Sequence, residues 1–193
     1  MSELFIELFS EEVPAKLQIK AREQLKEIFS NFFEQHGVKY KGEIRIFSTP
    51  NRIAINAKGL PKEVLFKSKE VKGPIINAPD KALDGFLNSN QIKKNKIYKK
   101  KTEKGEFYFY KKPQKKISLY NMLRENLPHI LFKITWEKSM KWGEHALLWG
   151  RPLKSILSIF DGKKLEFDFK HLKSSNLTFI EKDIEEKTKS FNN

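Results

Sequence analysis

Phe5-Ile6-Glu7-Leu8-Phe9-Ser10-Glu11-Glu12-Val13-Pro14-Ala15-Lys16 decides how the chain begins to fold. An apolar run of strand length gives way to a Ser-Glu-Glu junction and then to Pro14. Proline suits the first turn of a helix, where its missing N–H costs nothing. Glu11 and Glu12 just before it complement the positive end of that helix. Leu17, Ala21, Leu25, Ile28, Phe29, Phe32 and Phe33 then recur at three- and four-residue spacing, which predicts one apolar helix stripe. Lys20, Glu23, Lys26, Glu27 and Glu34 fill the opposite face. His36-Gly37 ends the helix, with glycine suited to a left-handed cap.

Strand-like runs follow at 43–48 and 52–59, and Pro50-Asn51 between them predicts a hairpin. A third run, 63–71, leads to Gly73-Pro74, which is expected to stop regular structure. Pro79-Asp80 starts a short helix through Leu83, Phe86 and Leu87. Residues 97–101 and 106–112 read as a hairpin about Glu103-Lys104-Gly105. In Phe107-Tyr108-Phe109-Tyr110 the side chains alternate, so two Phe are expected inward and two Tyr partly wet. Ser118 is positioned to cap a helix from Leu119 to about Lys133, with a kink or break expected at Pro128. Residues 136–149 read as loop and short helix. Asp161-Gly162 between 155–160 and 164–169 is the strongest hairpin signal in the chain. Strands joined by hairpins outnumber helices, so the fold class is α+β, an antiparallel sheet with helices packed on it. Residues 1–179 read as one domain. Residues 180–193 are Glu/Lys-rich with little periodicity and read as a disordered tail.

The 193 residues are 39% apolar, with 16 Phe, so a core can form. The absence of cysteine excludes disulfides and Cys-ligated zinc and fits a reducing cytosol. No apolar run approaches the roughly 18–20 residues of a membrane span, and Met1-Ser2-Glu3 lacks the basic-then-apolar order of a signal peptide. The net charge is +14. Lysine drift in an AT-rich genome would spread that charge evenly, whereas a polyanionic partner would focus it. Residues 93–116 hold 11 Lys against Glu103 and Glu106, a net of +9, and the other 169 residues carry the remaining +5.

That lysine hairpin, with Lys93, Lys94, Lys96, Lys99, Lys100 and Lys101, is the leading nucleic-acid candidate. Flexible ammonium groups suit phosphates more than base edges; a solvated loop is the competing reading. Lys141 and Arg151 could hold phosphate while Trp136, Trp142 or Trp149 stacks on an unpaired base. Core packing by Trp and a turn at Arg151-Pro152 are the alternative. Arg52 fits either a bidentate anion contact or a strand-end ion pair. The Glu11-Glu12 pair is explained by helix electrostatics, so no catalytic residue is assigned. His36, His129, His145 and His171 show no metal-ligand spacing. No glycine-rich phosphate loop occurs.

Four blocks in order carry a resemblance: the opening stretch, Ser48-Thr49-Pro50-Asn51-Arg52-Ile53-Ala54, Lys72-Gly73-Pro74, and Met140-Lys141-Trp142-Gly143 with Arg151-Pro152. Together, over residues 4–178, they resemble the amino-terminal region of the bacterial glycine–tRNA ligase beta subunit. Two departures are Glu137-Lys138 where Pro-Lys is the family pattern, and Leu177-Thr178-Phe179-Ile180 where Gly-His-Arg-Phe would follow. The resemblance implies an amino-terminal fragment that ends its family-like stretch near Phe179. It implies a cytoplasmic enzyme that attaches glycine to tRNA using ATP. Its adenylate-forming site would be on a separate alpha subunit, with no cofactor bound by this stretch and the fragment alone inactive. The expected partners are the alpha subunit and tRNA, and no membrane. The competing reading is a non-enzymatic basic RNA-binding or assembly module.

Overall fold

The computed structural model describes residues 1–66, 68–142, 144–179 and 188–190; the side chains of Trp142, His145, Ala146, Thr188 and Lys189 lie outside that description. In chain order, β1 (Ser2–Ser10) leads into α1 (Ala15–Gln35), and β2 (Ile44–Thr49) and β3 (Arg52–Leu60) form the expected hairpin. Then come β4 (Glu63–Phe66), β5 (Lys69–Ile75), α2 (Asp80–Asn90), β6 (Ile97–Thr102), β7 (Gly105–Lys112) and β8 (Lys115–Ser118). The chain goes on through α3 (Leu119–Phe132), β9 (Met140–Trp142), β10 (His145–Trp149), β11 (Leu153–Phe160) and β12 (Lys163–Lys164). Four short strands close it: β13 (Asp168–Phe169), β14 (Leu172–Lys173), β15 (Leu177–Phe179) and β16 (Thr188–Ser190). Among the described residues, antiparallel sheets with three α-helices make this an α+β fold.

The chain forms two compact units, 1–64 with 117–193, and 65–116. No Pro/Gly/Ser-rich linker marks either crossing, because the chain passes through paired strands, β4 and β8. That is why the sequence reads as one domain over 1–179. The larger unit is built on a five-stranded antiparallel sheet in the order β12-β11-β1-β3-β2. Strict alternation buries Leu4, Ile6 and Leu8 of β1 on the inner face and leaves Phe5, Glu7 and Phe9 half-buried on the outer one. Ile53, Ile55 and Ala57 of β3 continue the inner face beside them. Helix α1 packs on this sheet and against α3 with Leu17, Ala21, Leu25, Phe29, Phe32 and Phe33 buried, as its spacing predicts, while Ile28 stays half-buried. Gly37 takes φ 65°, the left-handed cap. Glu11 forms an ion pair with Lys154 of β11.

Several local expectations are revised. Helix α3 runs unbroken through Pro128. Ser118 makes no side-chain cap; the N–H of Leu119 donates to the Lys62 carbonyl at 2.9 Å. Met140–Trp142 and His145–Trp149 form the pair β9–β10 rather than a short helix. The hairpin turn Asp161-Gly162 is as expected, with both residues at positive φ (51° and 72°), as a tight two-residue turn demands. Its second strand pairs with β11 over Lys163–Lys164, and the Leu165 N–H still donates to the Ser158 carbonyl at 2.9 Å. Of the expected tail, Thr188–Ser190 pair with Leu177–Phe179, and 180–187 and 191–193 lie outside the described residues.

In the smaller unit, β7 is the central strand of a three-stranded antiparallel sheet, β5-β7-β6. Strand β5 does not stop at Gly73-Pro74. It continues to Ile75 through a register shift between Lys72 and Ile75. A proline is tolerated there because β5 is an edge strand and the shift removes a ladder position. The expected inward Phe and wet Tyr of β7 are not what burial follows: Phe109 and Tyr110 are both buried, and Phe107 and Tyr108 both half-buried. Position along the strand outweighs face, because the far end of β7 runs out with its hairpin.

Candidate nucleic-acid interface

Strand alternation decides where the lysines go. Lys99, Lys100 and Lys101 are consecutive on β6, so Lys100 faces one side of the sheet and Lys99 and Lys101 the other. Register fixes their neighbours: Tyr98 lies opposite Phe109 and Lys100 opposite Phe107. Across the other edge, Lys72 lies opposite the same Phe109 and Glu70 opposite Lys111. One face therefore carries Glu70, Lys72, Tyr98, Lys100, Phe107, Phe109 and Lys111. The other carries Lys69, Val71, Ile97, Lys99, Lys101, Tyr108, Tyr110 and Lys112.

Helix α2 lies on the second face. A Cβ built on Gly73 would stand 2.9 Å from the ring of Phe86, so the close approach of α2 needs a glycine there. Leu83 is buried on the same helix. The 3-10 turn Lys94–Lys96 joins α2 to β6 and leaves Lys93, Lys94 and Lys96 exposed.

The first face is a layered arrangement of rings and charges. Tyr98 stacks on Phe109 with centroids 6.2 Å apart. The Lys72 ammonium sits 3.4 Å above the Phe107 ring centre, and the Lys100 ammonium 5.3 Å above that of Phe109. Glu70 is held by Lys100 at 2.7 Å and accepts a hydrogen bond from the Tyr98 hydroxyl at 2.6 Å. The Lys100 hydrogen bond, then the Tyr98 one, holds the Glu70 carboxyl below its usual range. In return the Glu70 hydrogen bond raises the Tyr98 phenol above its ordinary value.

Charge concentrates in this unit. Residues 65–116 hold 15 Lys and 5 acidic groups, a net of +10 out of the chain's +14. The cluster Lys93, Lys94, Lys96, Lys99, Lys100 and Lys101 falls wholly inside it. Lys72, Lys111, Tyr98 and Phe107 join it in space. Lys72 escapes a reading of sequence alone because it lies outside the 93–116 window. Knowing that the run through Val71 pairs with β7 is the signal that would have found it.

The other three sequence candidates lie in the larger unit. The Arg52 guanidinium donates to Glu7 and to the Thr178 hydroxyl, both at 2.9 Å, and also to the Phe179 carbonyl. It covers the Phe9 ring at 4.7 Å, and Phe9 stacks on Phe179. This is the strand-end ion pair in geometry, with β15 drawn across the outer sheet face. Arg151 donates to the Gly150 carbonyl at 3.0 Å and is half-buried, and Lys141 is exposed on β9. Trp149 is only 3% exposed, packed between Trp136 and Phe169, and serves as core. Trp136 lies so close to Gly150 that a Cβ there would be 2.3 Å from its ring, which ties the Trp136 ring into the same packing. Trp142 and His145 lie outside the described side chains.

Among the described residues, no group of three His, Cys, Asp or Glu side chains could hold a metal ion. No described helix is long and apolar enough to cross a membrane.

Known proteins similar to this chain agree with one another. The family model described as glycyl-tRNA synthetase beta subunit matches residues 4–193. That match runs past Phe179, where the resemblance in sequence motifs ends. The glycine–tRNA ligase beta subunit of Rickettsia conorii (strain ATCC VR-613 / Malish 7) is 39% identical over 179 residues, covering 93% of this chain and 27% of the relative. The same-named proteins of Rickettsia bellii (strain OSU 85-389) and Rickettsia canadensis (strain McKiel) are 40% and 37% identical over the same length. The chain thus spans about a quarter of the length of the curated relatives it matches.

Proposed function

This chain belongs to the glycyl-tRNA synthetase beta subunit family, and we propose that it acts as the amino-terminal part of such a subunit. In this reading it supports ATP-dependent attachment of glycine to tRNA in the cytoplasm. The adenylate-forming centre belongs to a separate alpha subunit, and this stretch binds neither ATP nor a cofactor of its own. Its contribution is to hold tRNA. The observation that carries this part is the +10 charge gathered on residues 65–116, where lysines surround a sheet that presents aromatic rings. Counterion release makes such a surface bind a polyanion with a steep dependence on salt.

Kinship with beta subunits supports this division of labour, as does a sequence without the glycine-rich loop that commonly cradles nucleotide phosphates. The chain purified alone is therefore expected to bind tRNA yet show no ATP–pyrophosphate exchange with glycine. Robust exchange, free of contaminating ligase, would overturn the assignment of activation to another subunit.

A further inference from the structure

We propose that the sheet face of β5, β7 and β6 opposite α2 is a platform for unpaired RNA nucleotides, with bases stacking on Tyr98 and Phe107 and phosphates held by Lys72 and Lys111. The inference rests on the tRNA-binding reading above and says which feature of an RNA this face takes. Four observations converge on it. The face is open, because the unit's helix packs on the other side through Gly73 and Phe86. It presents aromatic rings in an exposed setting: Tyr98 is 36% exposed at the sheet edge and Phe107 half-buried beside it, over a floor made by buried Phe109. Cations stand at the ring faces, Lys72 over Phe107 and Lys100 over Phe109. The acid on this face, Glu70, is already neutralised by Lys100 and fixes the Tyr98 hydroxyl, so the Tyr98 ring is held by its edge.

This combination suits single strands rather than duplexes. A duplex offers phosphates but keeps its bases stacked on each other, so the rings would be wasted on it. An unpaired base has a free π-face, and base–aromatic stacking is stronger than an exposed cation–π contact. A base arriving over Phe107 therefore displaces the Lys72 ammonium from the ring. The freed ammonium is then positioned for the adjacent phosphate, so one movement serves both interactions. Lys111, opposite Glu70 on the same face, supplies a second phosphate contact. Stacking of this kind tolerates any base, so the platform reads unpairedness and not sequence.

The test uses the full chain and three probes: a fluorescein-labelled oligouridylate 10-mer, a blunt 10-base-pair RNA duplex, and an intact tRNA. The 10-mer is expected to bind more tightly than the duplex. Tyr98→Leu and Phe107→Leu remove the π-faces and keep apolar bulk and net charge. Each is expected to weaken 10-mer binding by about 5- to 150-fold, with the salt slope and duplex binding unchanged. Lys72→Gln and Lys111→Gln are each expected to lower the single-strand salt slope by roughly 0.7. A 5-bromouridine 10-mer irradiated on the unmutated chain should form adducts at Tyr98 or Phe107, a readout that needs no variant to fold. Equal affinity for 10-mer and duplex, both indifferent to the Leu variants, would overturn the platform while leaving tRNA binding intact. Binding of none of the three RNAs would overturn the tRNA reading as well.

Discussion

Arg52 offers a direct test of whether a candidate cation serves the fold or a ligand. Its guanidinium bridges β1, β3 and β15 through Glu7, Thr178 and the Phe179 carbonyl, and covers Phe9. The Arg52 side chain is 25% exposed and that of Glu7 12%, so solvent screens the pair only in part. A hydrogen bond to a charged partner contributes about 1.5–3 kcal/mol, and the ring interaction about 0.5–1 kcal/mol. Arg52→Ala should then destabilise the chain by about 2–4 kcal/mol. For a chain of this size each kcal/mol moves the melting temperature by roughly 2–4 °C, so a drop of about 4–16 °C is expected. The assay is a double-mutant cycle with Glu7→Gln, followed by chemical denaturation. A coupling of about 1–3 kcal/mol is expected, because Arg52→Ala leaves the mostly buried Glu7 carboxylate with the Thr178 hydroxyl but without its cation, a charge that Glu7→Gln removes. The affinity for tRNA should be unchanged in the folded single variant. Additive effects, or weakened tRNA binding with unchanged stability, would refute the structural role and make Arg52 an anion contact.

Helix α1 gives a second prediction: Phe29→Ala should cost about 3–5 kcal/mol, since Phe29 is fully buried, whereas exposed Lys26→Ala should stay within about 0.5 kcal/mol. Equal losses in thermal denaturation would mean the helix phase is wrong. The Glu70–Tyr98 pair gives a third. Glu70 raises the Tyr98 phenol, so Glu70→Gln should bring its ionisation back toward the ordinary tyrosine value, read by the ultraviolet absorbance of tyrosinate. The signs for stability oppose each other. With its folded value raised, Tyr98 contributes below the ordinary tyrosine range, and that contribution is lost as pH rises through the folded value. With its folded value depressed, Glu70 contributes above the ordinary carboxylate range, and that is lost as pH falls through the folded value. Unchanged Tyr98 titration in Glu70→Gln would show that the hydrogen bond does not form.

How much of this is legible in the sequence depends on range. Helix α1 is readable because Pro14 and seven apolar residues act within one element, and Asp161-Gly162 because a two-residue turn states its own geometry. Strand β5 reads too short because Gly73-Pro74 is a stop signal in isolation. Its tolerance depends on being an edge strand with a register shift, which only the partner β7 reveals. The lysine cluster stands out as a focus of charge, but its division between two faces and its union with Lys72 and Lys111 depend on cross-strand register. Arg52 cannot be assigned from sequence because its partners lie 45 and 126 positions away. The β9–β10 pair is hidden because glycine and Trp at 142–143 and 149–150 suggest loop.

The most direct test of the central claim is the salt dependence of tRNA binding by the full chain and by a variant with Lys72, Lys99, Lys101 and Lys111 all changed to Gln. If the sheet of residues 65–116 holds the phosphates, the unmutated chain binds with a steep log–log slope. The variant's slope then falls by about 3, at roughly 0.7–0.9 for each phosphate no longer neutralised. Its melting temperature stays near that of the unmutated chain because all four side chains are exposed. An unchanged slope in the folded variant would contradict the account and leave those lysines as a solvated surface.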